Sequence, residues 1–174
     1  MQRWERIEQS IAGTFKLNSK LDQKVERYRY MDRCIGIGRG FNYATSFELA
    51  LKLEELTYLM ASAYSSADFR HGPIATIERG LPVFLFMPTG VTHDDMFDLA
   101  LELHRREAEL LVISESEQAL SLARIALPIS PDLPEWLTPL ITIIPGQLFA
   151  LNLALAKGLN PDIPRGLHKV TKTL

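Results

Sequence analysis

The sequence predicts an α/β fold, a three-layer αβα sandwich around a parallel sheet of about five strands. Two observations carry that expectation. Short runs of continuously apolar residues recur along the chain, and each is followed by a segment with helical spacing. A strand can be apolar on both faces only where helices cover the sheet on both sides, and strands alternating with helices are the pattern of parallel pairing.

The elements follow in order. Residues 3 to 30 carry Ile7, Ile11, Phe15, Leu17, Leu21 and Val25 at near-helical spacing, broken around Gly13 and Asn18, and read as packing helices. The compact run Cys34-Ile35-Gly36-Ile37-Gly38 stops at Arg39-Gly40 before a long helical pattern begins near Asn42. A second run, Pro82 to Met87, leads through Thr89-Gly90 to a helix whose expected cap is Thr92, with Asp94 and Asp95 in its first turn. Leu110 to Ile113 precedes a short helix from Glu117 to Ala123, and Ile125 to Ile129 is the fourth run. Ligands on such sheets bind beyond the carboxyl ends of the strands, here the loops after Gly38 and after Met87.

No charged residue occurs between Glu135 and Lys157, a length that would pass for a membrane span. Thr138, Pro139, Thr142, Pro145, Gln147 and Asn152 interrupt it and no basic cluster flanks it, so the expectation is a helix buried in a core or a subunit interface, with no membrane partner. Residues 158 to 174, with Pro161, Pro164 and Gly166, read as an extended tail.

Composition narrows the function. The 174 residues are 47% hydrophobic and 23% charged, which suits one globular domain with a real core. A net charge of -2 with scattered basic residues lacks the electrostatic footprint of nucleic-acid binding. Cys34 is the only cysteine, so an intrachain disulfide and a cysteine-rich metal site are excluded, and a reducing cytoplasm is the expected setting. The start, Met1-Gln2-Arg3-Trp4-Glu5-Arg6, has no apolar core of a secretory signal. The four histidines show no metal spacing, and no nucleophile elbow or phosphate-binding Walker loop occurs.

Gly36-Ile37-Gly38-Arg39-Gly40 opens a helix, where backbone amides can approach an anion. Alone, such a loop is as well explained by close packing of strand on helix, and the acid expected of a dinucleotide fold is missing, so no cofactor is expected. On the following helix, Glu48, Lys52 and Glu55 fall in one sector about 60° wide. Phe47, Leu51 and Tyr58 flank it on one side, and Leu49, Leu53, Leu56 and Met60 on the other. Two readings are open: an ion-pair ridge facing solvent, or charges at a cleft where a carboxylate serves as a general base. His71 lies in a polar break between helices, Ser65 to Pro73, where a side chain is free to meet a ligand.

Three separated segments together resemble the second sugar-isomerase (SIS) domain of the isomerase module of glucosamine-6-phosphate synthase and of its glutaminase-free relatives. They are Gly38-Arg39-Gly40 with Glu48-Leu49-Ala50-Leu51-Lys52-Leu53-Glu54-Glu55, then Arg70-His71-Gly72-Pro73, then Pro164-Arg165-Gly166-Leu167-His168-Lys169. The resemblance implies a flavodoxin-like SIS sandwich, a single domain over 1–174 with packing helices at 1–30, a core at 31–157 and a tail at 158–174. It implies that the chain is the C-terminal half of an isomerase, aminotransferase or deaminase acting on 6-phosphorylated amino or keto sugars, working without a cofactor. Glu55 matches the base that moves a proton between C1 and C2, Lys52 a lysine that stabilises the enolate, His71 a histidine of ring opening given to the neighbouring subunit, and Lys169 a lysine that engages the ketose carbonyl. Gly38, Arg39, Gly40, Glu48 and His168 would contact substrate.

The same resemblance implies partners. The sugar phosphate would be held mainly by a first SIS domain with no counterpart in these residues, and the chain would form a homodimer. Ala67-Asp68-Phe69-Arg70 stands where the synthase shows Gly-Glu-Leu-Lys, which is more like the glutaminase-free deaminases, deglycases and isomerases. The alternative is a phosphosugar-binding sensor module without catalysis.

Overall fold

A computed structural model describes residues 3–130 and 133–166. Two helices, α1 (Arg3–Leu17) and α2 (Leu21–Val25), precede the first strand, β1 (Arg33–Gly38). There follow α3 (Asn42–Thr57), β2 (Met60–Ser65), α4 (Ser66–Arg70), β3 (Pro82–Phe86), α5 (His93–Arg105), β4 (Glu109–Ser114), α6 (Glu117–Leu120), β5 (Ile125–Pro128) and α7 (Pro139–Ala156). The five strands are parallel, in the order β2-β1-β3-β4-β5.

Alternation of side chains along the strands builds two cores. Cys34, Phe84, Phe86, Leu111, Ile113 and Leu127 point to one face, where Leu49 and Leu53 of α3, Phe149 and Leu153 of α7, and Leu21 and Val25 of α2 cover them. Ile35, Ile37, Val83, Leu85, Leu110 and Val112 point to the other face and meet Phe69 of α4, Met96, Leu99 and Leu103 of α5, and Ala119 of α6. Each fully buried side chain of this size contributes about 1.5–3 kcal/mol, so continuous apolar runs in the strands are what a doubly covered sheet requires.

The expected sandwich is therefore present, with four differences in its elements. The edge strand β2 lies where the helical spacing predicts a continuation of α3 through Met60; Ala61, Ser62 and Ala63 within it make no apolar run. In the N-terminal region α1 runs unbroken through Gly13, where a break is expected, and a 3₁₀ turn at Glu26–Tyr28 follows α2. The helix expected over Glu117 to Ala123 ends at Leu120. Thr92 does precede α5, but its side chain makes no capping bond.

The apolar segment forms α7 after a 3₁₀ turn. Glu135–Ala156 is long and apolar enough to cross a bilayer, and half of its most apolar window is buried within the fold. The start of α7 is tied to the start of α3 by buried polar groups: Asn42 Nδ2 donates to Thr138 Oγ1 at 2.8 Å and Asn42 Oδ1 accepts from Thr142 Oγ1 at 2.6 Å. That lock sets α7 beside α3 and thereby shapes the face described next.

Candidate active-site face

The chain runs from β1 outward to β2 and then crosses back to β3, so the switch point of the sheet lies beyond the carboxyl ends of β1 and β3. At that end, a methyl placed on Gly38 would lie 2.0 Å from the carbonyl oxygen of Asn42. Close approach of strand and helix explains this glycine. Arg39 Nη1 donates to Ser66 Oγ at 3.3 Å, and its Nε lies 4.0 Å from Asp95 Oδ2. Asp95 also takes Ser66 Oγ at 2.5 Å and Arg70 Nη1 at 2.8 Å, while Arg70 Nη2 donates to its main-chain oxygen at 2.9 Å. Burial pushes the Asp95 carboxyl up, but the Ser66 hydrogen bond and the two guanidinium groups outweigh it and hold the acid below its ordinary 3.8.

The charged trio sits elsewhere, on the outer side of α3. Lys52 Nζ donates to Glu55 Oε2 at 2.7 Å and lies 4.0 Å from Glu48 Oε1. Gln147 Nε2 of α7 donates to Glu48 Oε1 at 3.3 Å. Both helices follow parallel strands and run the same way, so Leu151 and Leu155 continue along α7 one and two turns beyond Gln147. Phe47, Leu51 and Tyr58, beside the trio on α3, have exposed side chains, as do Leu151 and Leu155 further along α7. Leu49 and Leu53, by contrast, are core residues. Beyond Phe47 and Leu51 a groove of about 520 Å³ runs between α3 and β2, lined by Glu48, Glu54, Ala61 and Ala63 among others.

The hydrogen bond to Glu55 raises the Lys52 pKa above its ordinary value; partial burial opposes this, and the charges of Glu55 and Glu48 reinforce it. Lys52 is thus a fixed cation between two carboxylates. It can polarise a carbonyl oxygen, whereas a free amine nucleophile would need the opposite shift.

The structure separates the other residues singled out in the sequence. Arg39, Gly38 and Gly40 lie at the start of α3, and 13 residues of helix place Glu55 about 20 Å further along its axis. His71 is exposed at the end of α4, its backbone N–H bonded to Asp68 O at 3.1 Å. Through Phe69, α4 packs on the face opposite to α3. Among the described residues no hydrogen bond or ion pair joins His71 to the trio. His168 and Lys169 lie outside the described residues. Sequence reading had Asp95 only as a first-turn acid, and Ser66 and Gln147 had no visible signal because their roles depend on long-range pairing. Among the described residues no group of three or more metal-ligating side chains occurs.

Comparisons with known proteins match the sequence and the fold to a family. The profile of the SIS domain family matches residues 29–157. The glutamine–fructose-6-phosphate aminotransferase of Pyrococcus horikoshii is 35% identical over 164 residues, which is 94% of this chain and 27% of that protein. The C-terminal domain of the glucosamine-fructose-6-phosphate aminotransferase of Francisella tularensis superposes with a TM-score of 0.82 at 28% identity, covering 90% of this chain and 44% of that one. A glucosamine-6-phosphate deaminase from Thermotoga maritima superposes at 0.68 and 27% identity, covering 92% of this chain and 45% of that one. The chain thus spans about a quarter of that aminotransferase's length and under half of each of these solved chains.

Proposed function

The chain belongs to the SIS domain family, and from that premise we propose that it is the catalytic half of an enzyme that isomerises or deaminates 6-phosphorylated amino or keto sugars. The observation that carries the reading is the Glu48-Lys52-Glu55 trio, held together on an exposed face with apolar borders. Such a face can be covered by a second domain, and covering it would desolvate the charges and raise their electrostatic strength.

In this reading Glu55 removes the proton from C2 or C1 of the open-chain sugar and returns it to the neighbouring carbon. Lys52, held cationic, stabilises the oxygen on which enolate charge develops. Glu48 fixes Lys52 from the other side. His71 assists ring opening, and its place on the opposite face of the sheet supports its donation to the site of a neighbouring subunit in a homodimer. Lys169 matches the lysine that engages the open-chain ketose carbonyl. Gly38, Arg39, Gly40 and His168 contribute to substrate contacts in the assembled enzyme. No cofactor enters this proton transfer, and the reading includes a cytoplasmic setting, with neither nucleic acid nor membrane as partner.

The test is turnover of fructose 6-phosphate and glucosamine 6-phosphate by this chain, alone and mixed with a separately expressed first SIS domain. Sugar interconversion and ammonia release are both followed. Turnover in the mixture that the Glu55→Gln chain fails to support is the expected result. Substrate binding without turnover in either preparation would replace the enzyme with a phosphosugar-binding module.

A further inference from the structure

A parallel sheet has two edges, and this one treats them differently. At one edge, β5 is four residues long and ends on Pro128. The end of α1 lies against it, with Asn18 Nδ2 donating to Pro128 O at 2.8 Å and Thr14 Oγ1 accepting from the Ser130 N–H at 3.0 Å. A short strand, a proline and a covering helix all keep a sheet from pairing further. At the other edge, β2 is six residues long and in unbroken register with β1, and Met60-Ala61-Ser62-Ala63-Tyr64-Ser65 holds no proline and no charge. Among the described residues no strand lies beyond it. The Met60 N–H bonds inward to Asp32 O at 2.8 Å, so along the alternating backbone the N–H and C=O groups of Ala61 and Ala63 point outward. Beside them runs the groove between β2 and α3, where Phe47 is 52% and Leu51 46% exposed.

We propose that the β2 edge is a self-pairing surface, taken by β2 of a second copy of this chain running antiparallel across a two-fold axis at Ser62. The register suits such an axis. Ala61 of one copy falls opposite Ala63 of the other and exchanges both backbone bonds with it; the axis repeats the pair, which gives four hydrogen bonds to groups that have no partner among the described residues. Ser62 meets its own counterpart in the closer, non-hydrogen-bonded position, and its small exposed side chain suits that approach. Tyr64 falls opposite Met60, which is 78% exposed. The helices agree with the strands. Because α3 packs over both β1 and β2, joining the edges sets the two α3 helices about two strand spacings apart, roughly 10 Å, which is the distance at which helices pack. Phe47 and Leu51 then lie between them. The covered wall is about 20 Å long and about 20 Å high through the sheet and one helix layer, so the pairing removes on the order of 500 Å² from each copy, the lower end of what a specific dimer needs. It gives the homodimer of the proposed enzyme a contact surface and does not depend on catalysis.

Sedimentation of the chain over a concentration series reads the dimer, and hydrogen exchange of the Ala61 and Ala63 amides reads the edge. In the wild type these amides should exchange about tenfold more slowly in the dimer than in the dilute monomer. Ala63→Pro removes two of the four intermolecular bonds and none to β1, because proline is tolerated where the N–H faces outward. It should raise the dissociation constant about tenfold or more while thermal melting of the dilute chain still shows a folded monomer. Ser62→Lys leaves the backbone intact and sets like charges opposite each other at the axis, so it should weaken the dimer by about the same factor, with part of the loss restored by salt. If Ala63→Pro does not fold, Ser62→Lys carries the same test. A chain that stays monomeric throughout the series, a dimer that both variants leave as tight as the wild type, or protection of these amides that does not vary with concentration would each overturn the pairing. So would protection that appears only with a separately expressed first SIS domain, which would assign the edge to that domain. None of these readings uses turnover, so their outcome is separate from that of the enzymatic reading.

Discussion

Lys52 donates to Glu55 at 2.7 Å across one turn of α3, and each side chain is 31% exposed. An i,i+3 pair this accessible contributes only about 0.5 kcal/mol to folding. Its arrangement between apolar borders therefore has to be judged by chemistry. Lys52→Gln should leave the denaturation midpoint nearly unchanged while turnover in the reconstituted enzyme falls about a hundredfold or more. A large loss of stability with intact turnover would make the pair structural. The pH dependence follows from the direction of the shift. Lys52 has its pKa raised above 10.5 by folding, so its contribution is complete below 10.5 and fades as pH rises through the folded value. An alkaline limb in the activity profile at about pH 8 to 9 would belong to another group.

Asp95 accepts from Ser66 and Arg70 at the two ends of α4 and pairs at 4.0 Å with Arg39 at the end of β1. Its folded pKa lies below the ordinary 3.8, so its stabilising effect is full above that value and is lost as pH falls through the folded one. Asp95→Asn should cost about 1 kcal/mol at neutral pH, a figure kept small because the side chain is partly open to solvent. The difference between the two proteins should shrink when urea midpoints are compared at pH 7 and pH 3. A gap that stays constant would remove the carboxylate's charge from the explanation.

Four of the five strands were legible because their neighbours cover both faces, and Ile35, Ile37, Val83 and Leu85 had to be apolar on the side opposite Cys34, Phe84 and Phe86. Strand β2 is an edge strand, as β5 is, but its Ala61, Ser62 and Ala63 supply no apolar run to recognise. The end of α3 was hidden for a related reason: Tyr58 stops the helix in a conformation that sequence marks only when glycine occupies it. The trio itself could be read on a helical wheel, since local geometry suffices to bring residues 48, 52 and 55 together. Which face His71 occupies depends on α4 crossing the sheet after β2, and that crossover is not encoded in the spacing of any motif.

Gly38 is fixed by contact. A Cβ at this position would overlap the Asn42 carbonyl oxygen at 2.0 Å, and Asn42 cannot retreat without breaking its bonds to Thr138 and Thr142. Gly38→Ala should cost about 3 kcal/mol or more, or prevent folding. Asn42→Ala should cost about 3 kcal/mol by removing the acceptor of the buried Thr45 and Thr142 hydroxyls, while Thr138 keeps its bond to Glu135 O. Because the two residues share one packing contact, the double variant should be less destabilised than the sum, measured by chemical denaturation of the four proteins. Strict additivity would mean that the clash is relieved elsewhere.

Cys34 lies in β1 at 3% exposure, facing the core beneath α3 and α7. A thiol reacts as its thiolate, and burial, reinforced by the charge of Glu54, pushes this one up to about 12 from 9.0. At pH 8 the native thiolate population should be about a thousandfold below that of the unfolded chain, before any further slowing from lack of access. A disulfide reagent should therefore titrate the single thiol at once in denaturant and only at the rate of opening in native buffer. The same shift fixes a sign in alkali. The folded chain keeps its proton above pH 9.0 while the unfolded chain loses it, so this group lowers stability as pH rises beyond 9.0. Cys34→Ala should flatten that alkaline decline at a roughly constant packing cost of about 1 kcal/mol. Fast stoichiometric labelling of the native chain would contradict the burial of β1 on which this ordering depends.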